Sequence, residues 1–262
     1  MTSKQLITTL MLCVSAAGYA QHQSVYTPET TVASQVAVGA SNCLDTYLSP
    51  EKYRGVETRF VSEVCSDSKK RPLTYLLTHE GAFAYDHNRT VTAHEYMGHY
   101  DFSYSVMRRW QMADDKLLLR AGTMCDAMLG FCYNSRNGNN PAQGYATAAL
   151  GAQVMAAYQL NIFGRNVTLG YEARLPMLGL MFSPAYGQSY YELFTQGDYD
   201  HNIVFTSIAT FQLRQQLSVD IPVGQRTSLR VAYLGDIRQA EPNNLKQHHY
   251  YNAATIGIVL KK

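Results

Sequence analysis

Between Tyr96 and Val106 the chain alternates with a period of two: Tyr96, Tyr100, Phe102, Tyr104 and Val106 share one parity, and His99, Asp101, Ser103 and Ser105 share the other. One face of such a strand suits hydrocarbon and the headgroup boundary, and the other suits a polar interior. A transmembrane β-barrel strand has this pattern, and it recurs down the chain.

The N-terminus predicts export. Lys4 gives a weak positive start, Leu6 to Val14 form a short apolar run, and Gly18-Tyr19-Ala20 place small residues at a cleavage site. Residues 1–20 are therefore expected to be a cleaved signal peptide and 21–262 a single barrel domain. The apolar run is about half the ~20 residues a spanning helix needs, and Leu12 before Cys13 argues against a lipoprotein. No later stretch approaches that length, so a membrane-spanning fold would have to be a closed barrel.

Composition agrees. Twenty tyrosines stand against one tryptophan, and tyrosine is favoured at membrane interfaces and on polar-lined barrel walls. A net charge of +2, with no basic stripe, excludes a nucleic-acid footprint.

Period two predicts ten strands, at 32–48, 52–64, 73–85, 92–111, 116–133, 142–162, 166–178, 201–221, 227–238 and 248–261. Ala113-Asp114-Asp115, Gly164-Arg165-Asn166 and Val223-Gly224-Gln225 read as tight turns, while 134–141, 179–200 and 239–247 are longer loops. Short turns at one end and long loops at the other are the asymmetry of an outer-membrane barrel with both termini periplasmic. Segment 49–51 is short for an outer loop, and Ser66 to Arg71 long for an inner turn.

Parity then predicts the lining. Leu119 and Ala121, Val154, Ala156, Tyr158 and Leu160, Val167, Leu169 and Tyr171, and Leu229, Val231 and Tyr233 face outward. Glu57, Arg59, Glu63, Glu80, Asp101, Arg120, Asp126, Gln153, Glu172, Arg174, Gln212, Arg214, Arg230, Asp236 and Arg238 face inward. A ten-stranded barrel is narrow enough for side chains largely to fill it, and buried charges persist when paired. The lumen is thus expected to hold a lattice of arginines and carboxylates.

Several tempting motifs fail on spacing. His94 and His99 stand five apart rather than four, so they do not share a helical face, and on a strand they point to opposite sides. Gly187-Gln188-Ser189 begins like a nucleophile elbow, but Tyr191 occupies the place of the closing glycine. The sequons at Asn88 and Asn166 are read as chance matches. No cofactor or metal is expected. Cys125 and Cys132 lie too far apart on one strand to join, whereas a Cys43–Cys65 bridge between neighbouring strands is conceivable beside the alternative of free thiols.

Leu44-Asp45-Thr46-Tyr47-Leu48-Ser49-Pro50 with Tyr53 and Gly55, and Ser183-Pro184-Ala185-Tyr186-Gly187-Gln188-Ser189-Tyr190-Tyr191-Glu192-Leu193-Phe194, resemble the domain of unknown function 3316 family of Bacteroides-type Gram-negative bacteria. The resemblance covers essentially the whole mature chain. It implies an exported, β-rich envelope protein and supplies no activity.

The loop holding the second segment clusters Tyr186, Tyr190, Tyr191, Phe194 and Tyr199. Such a cluster either grips a surface glycan or protein ligand or folds inward to cap the barrel. The expectation is an all-β, up-and-down outer-membrane barrel in contact with membrane lipid, with a structural, binding or narrow-passage role and no enzymatic activity the sequence justifies. Two alternatives stand beside it: a surface hydrolase using His99 and Asp101, or rim carboxylates, on lipid or peptide; and a secreted, soluble β-sandwich binding protein whose outward sets form a shared core.

Overall fold

A computed structural model describes residues 29–262 apart from 139, 163 and 200. The expected signal peptide over 1–20 lies outside the described residues. Eleven strand segments follow in order: β1 (Thr30–Asp45), β2 (Tyr53–Asp67), β3 (Leu73–His87), β4 (His94–Met112), β5 (Leu117–Asn134), β6 (Ala142–Ile162), β7 (Arg165–Phe182), β8 (Ile203–Ser207), β9 (Leu213–Pro222), β10 (Thr227–Ala240) and β11 (Gln247–Lys261).

Each strand pairs antiparallel with its neighbours, and β1 against β11 closes the sheet. β8 and β9 together fill one position, both pairing with β7, so the wall has ten staves. Closure pairs the first stave with the last, as a sheet in hydrocarbon requires, and among the described residues the ladder is interrupted opposite 175–177, where β8 gives way to β9. Most strands run 14 to 21 residues, longer than the ~9–11 needed to cross a bilayer, so their ends project beyond it.

The fold is apolar outside and charged inside. Val38, Phe60, Phe83, Tyr100, Leu129, Leu150, Leu178, Phe205, Val231 and Ile256 are exposed, while Glu57, Arg59, Glu80, Asp101, Arg174, Arg214 and Asp236 are buried. Soluble monomers rarely show so much contiguous apolar surface. The outward sets form no shared core, which sets the sandwich aside. Val167 has the outward parity of Leu169 and Tyr171 and is nevertheless buried.

Turns of five residues or fewer join β2–β3, β4–β5, β6–β7 and β9–β10 at one end, and longer loops lie at the other. Gly164, at φ +75°, suits the tight β6–β7 reversal. The first of these longer loops spans 46–52, longer than the sequence suggests.

Two expectations about strands are corrected. Segment 201–221 is not one strand, because 208–212 leave the ladder. The seventh strand does not stop at 178 but continues to Phe182 through a bulge at Met177: Pro176 pairs with Gly151 and Leu178 with Leu150, leaving Met177 without a partner on β6. The Cys43–Cys65 bridge is also excluded. Cys65 lies opposite Thr31 and Cys43 opposite Tyr53, at the two ends of the β1–β2 pair, and all four described cysteines are free.

Candidate functional site

The lumen is crossed by ion pairs in successive levels. Near the turns, Asp67 on β2 receives Arg109 at 3.0 Å and Arg120 at 3.1 Å. Above it, Arg230 bridges Asp220 at 2.7 Å and Glu63 at 3.3 Å, and Arg214 bridges Glu80 at 2.9 Å and Glu172 at 3.4 Å.

Arg59 is the hub. It is fully buried and donates to Glu57, to Glu80 at 2.5 Å and to Asp236 at 2.6 Å, with its guanidinium 4.1 Å from the centroid of the Tyr251 ring. Arg238 joins Asp236 at 2.9 Å to Asp101 at 3.4 Å, and Arg174 joins Asp101 at 3.0 Å to Asp126 at 3.4 Å. Period two brings these groups to one face of each strand, and barrel closure brings the faces together.

His99 and Asp101 share that face but not a partner. Asp101 is held by two arginines, whereas His99 Nε2 makes no hydrogen bond and stands 4.0 Å from Glu80. The His99 ring meets that of His249 edge-on at 5.9 Å, and His249 reaches Glu57 at 2.6 Å.

Between the lattice and the mouth at the long-loop end lies a cavity of about 90 Å³. Met97, Met128, Met181 and Leu213 give it apolar walls, and Arg174, Arg214, Arg238 and His99 line it as well. At its outer end Cys43, Leu48, Ala84, Met97 and Cys132 cluster with Tyr47 and Tyr145. Among the described residues, no group of three or more His, Cys, Asp and Glu side chains is arranged to hold a metal ion.

The β7–β8 loop lies over the mouth as a lid carrying one short π-helical turn (Glu192–Gln196). Its aromatic cluster divides. The Tyr190 hydroxyl donates to Gln143 Oε1 at 2.9 Å and accepts from Gly144 N–H, while Leu193 is buried. Tyr186, Tyr191, Phe194 and Tyr199 remain 61–84% exposed on the outer face.

Neighbouring loops hold the lid down. The Tyr47 hydroxyl donates to Gln188 O at 2.9 Å, and the Asn243 amide donates to the carbonyls of Ser183, Pro184 and His201. The Ser189 N–H and hydroxyl both donate to Glu192, at 2.7 and 3.0 Å, and Glu192 N–H donates back to the hydroxyl, which caps the start of the π-helical turn. That pairing holds the Glu192 carboxyl below its usual range, and burial raises the Tyr47 phenol to about 12. Asn88 of the first sequon is buried, its amide spanning Glu51 and the backbone of Thr92 and Ala93.

The sequence reading missed Tyr47, Gln143, Tyr145, Pro176 and the methionine walls. Pro176 alone carried a local signal, because proline inside a strand marks an edge or a bulge.

A family model for proteins of unknown function, DUF3316, matches residues 5–261. The chain belongs to this family. No curated protein matches this DUF3316 chain in sequence. Among solved structures, the outer membrane protease OmpT from Escherichia coli matches with TM-score 0.57 at 8% identity, covering 92% of this chain and 99% of that one. The transport unit of the autotransporter AIDA-I from Escherichia coli matches with TM-score 0.50 at 10% identity, covering 96% of each chain. At such identity the likeness is one of fold: this DUF3316 protein has the closed antiparallel barrel of outer-membrane proteins.

Proposed function

We propose that this protein is a non-conducting binding barrel of the outer membrane, exported by residues 1–20, with the short turns and both termini periplasmic and the lid at the cell surface. The observation that carries this reading is the cross-lumen lattice. Desolvated ion pairs are stable only with close geometry and further hydrogen bonds, so a passing solute would have to separate contacts of 2.5–3.3 Å at several levels. The space left over is the cavity beneath the lid, which is shaped to hold a small molecule rather than to conduct one.

Hydrolysis is less favoured, because Asp101 is occupied by Arg174 and Arg238 and does not orient His99. The test is conductance of the purified barrel in a planar bilayer. No unitary current steps are expected. Reproducible steps from a heat-modifiable, folded sample would overturn the reading.

A further inference from the structure

The outward face of β4 ends in a pair that contact with hydrocarbon does not explain. Tyr104 and Val106 continue the apolar band, and then Arg108 and Trp110, the chain's single tryptophan, take the same parity. The Arg108 guanidinium stands 5.8 Å from the centroid of the Trp110 ring. In register, Arg108 lies between Leu73 on β3 and Ala121 on β5, and Trp110 lies beside Leu119, so these neighbours supply no carboxylate.

Depth places the pair at a headgroup boundary. Towards the long-loop end Tyr85, Tyr96 and Tyr133 stand opposite one another on β3, β4 and β5, all exposed, as an aromatic belt. Trp110 follows Tyr96 by fourteen residues on β4, roughly 35 Å along the barrel axis at ~3.3 Å per residue and ~40° of tilt. Aromatic girdles flank an apolar band of about 25 Å, so Trp110 occupies the interface at the short-turn end. Arg108 reaches the same level by extending along the ring.

Three more cations adjoin it. Arg109 N–H donates to Pro72 O at 2.9 Å and Ser68 N–H to Leu73 O at 2.8 Å, which seats the β2–β3 turn against the end of β4. That turn carries Lys69, Lys70 and Arg71, all exposed. Among the described residues neither these three nor Arg108 forms an ion pair, whereas the inward Arg109 is held by Asp67 at 3.0 Å. The β4–β5 turn adds Asp114, Asp115 and Lys116, one net negative charge against those four positive ones. Fixed cations at headgroup depth attract anionic lipid, and a forked guanidinium suits a phosphate.

We propose that Arg108, Trp110 and the Lys69, Lys70 and Arg71 turn form a docking site for an anionic phospholipid of the phosphatidylglycerol type. Arg108 donates to the phosphate, the turn cations balance the net charge, and the acyl chains lie against Tyr104 and Val106. A zwitterionic headgroup carries its own cation and gains less. The choice of leaflet rests on the periplasmic placement of the turns; the site itself does not depend on whether the lumen conducts.

Trp110 reports on its own site. The full mature barrel is folded into bilayers of phosphatidylcholine and phosphatidylglycerol, one or the other brominated in its acyl chains, and quenching of the tryptophan gives their relative binding constant. A preference for phosphatidylglycerol of at least about fivefold is expected, the effect of ~1 kcal/mol for one cation at an anionic surface, and it should weaken as salt is raised. Changing Lys69, Lys70 and Arg71 together to Gln should lower the preference severalfold, and Arg108→Gln should lower it as well. A reporter moved to the outward face of β9, Val219→Trp in a Trp110→Phe background, should show no such preference. Heat-modifiable gel mobility confirms that each variant is folded, and the exposed-turn variant carries the test if Arg108→Gln fails to fold. Equal quenching by the two lipids at Trp110, or an unaffected turn variant, overturns the proposal. The same preference at both reporters reduces it to a diffuse surface attraction and overturns the site. Displacement of brominated phosphatidylglycerol by a smaller fraction of lipid A than of unlabelled phosphatidylglycerol overturns the phospholipid assignment.

Discussion

Arg59 on β2 and Asp236 on β10, 177 residues apart in sequence, meet at 2.6 Å in the middle of the lumen, and the same guanidinium nitrogen reaches Glu80 at 2.5 Å. One cation thereby ties three strands through groups with almost no solvent contact. Arg59→Met leaves Glu57, Glu80 and Asp236 short of a counter-charge in a space too small to hydrate them. The expected loss is about 3–5 kcal/mol, read as a lowered urea midpoint for loss of the heat-modifiable band. Arg59→Lys should recover little, since an ammonium cannot reproduce the forked donors. Unchanged midpoints in both variants would show that the hub contributes nothing to stability.

Outward residues obey the opposite rule. Leu169 is exposed on β7, where its side chain meets lipid. Leu169→Arg should lower the free energy of membrane folding by up to roughly 2–4 kcal/mol, depending on depth, without making the chain soluble in water. A sandwich with Leu169 in its core would instead fail to fold in any medium. Folding titrations into vesicles of two thicknesses separate the cases.

The strands were legible because alternation is imposed by lipid on one side and ion pairs on the other, and both pressures act residue by residue. The break at 208–212 was not. Ile203 and Phe205 before it and Leu217 and Val219 after it keep the same outward parity, so period two runs through with no slip to betray the interruption. At Met177 the reverse holds. The bulge flips parity, so that Leu169 and Tyr171 face outward on odd numbers and Leu178 and Leu180 on even ones, and a period-two reading loses the strand early. Ion partners could be named as a set but not paired, because pairing depends on how closure sets one stave against another. Arg174 with Asp126 and Tyr145 with Asp45 are examples.

The cysteines test closure from the outside. Cys125 is exposed on the outward face of β5, whereas Cys43 and Cys132 are buried at the long-loop end of the lumen. In bilayers, a membrane-permeant maleimide should leave Cys43 and Cys132 unmodified until the barrel is unfolded by heat. Mobility should not change on reduction, because all four described cysteines are free thiols, the neighbouring Cys43 and Cys132 included. Rapid labelling of Cys43 in the folded barrel would mean that the lid does not cover the mouth.

The lid should be held shut across a wide pH range and released at both ends of it. Burial, followed by the neighbouring Tyr190, raises the Tyr47 phenol from its ordinary value near 10 to about 12. The closed lid therefore favours the neutral phenol, which donates to the Gln188 carbonyl. That contribution is complete below pH ~10 and disappears as the pH rises through about 12. Glu192 has the opposite sign. Donation from the Ser189 N–H and hydroxyl depresses its pKa, so its contribution is present above the usual carboxyl value of ~4.3 and is lost as the pH falls through the depressed one. With carbon-13 at the tyrosine Cζ positions, the resonance absent in Tyr47→Phe should titrate near 12 in the unmodified barrel. Glu192→Ala, which unfastens the π-helical turn, should bring it back toward 10. A Tyr47 resonance that already titrates near 10 in the unmodified chain would show that the loop does not seat on the mouth, leaving that end of the lumen open to solvent.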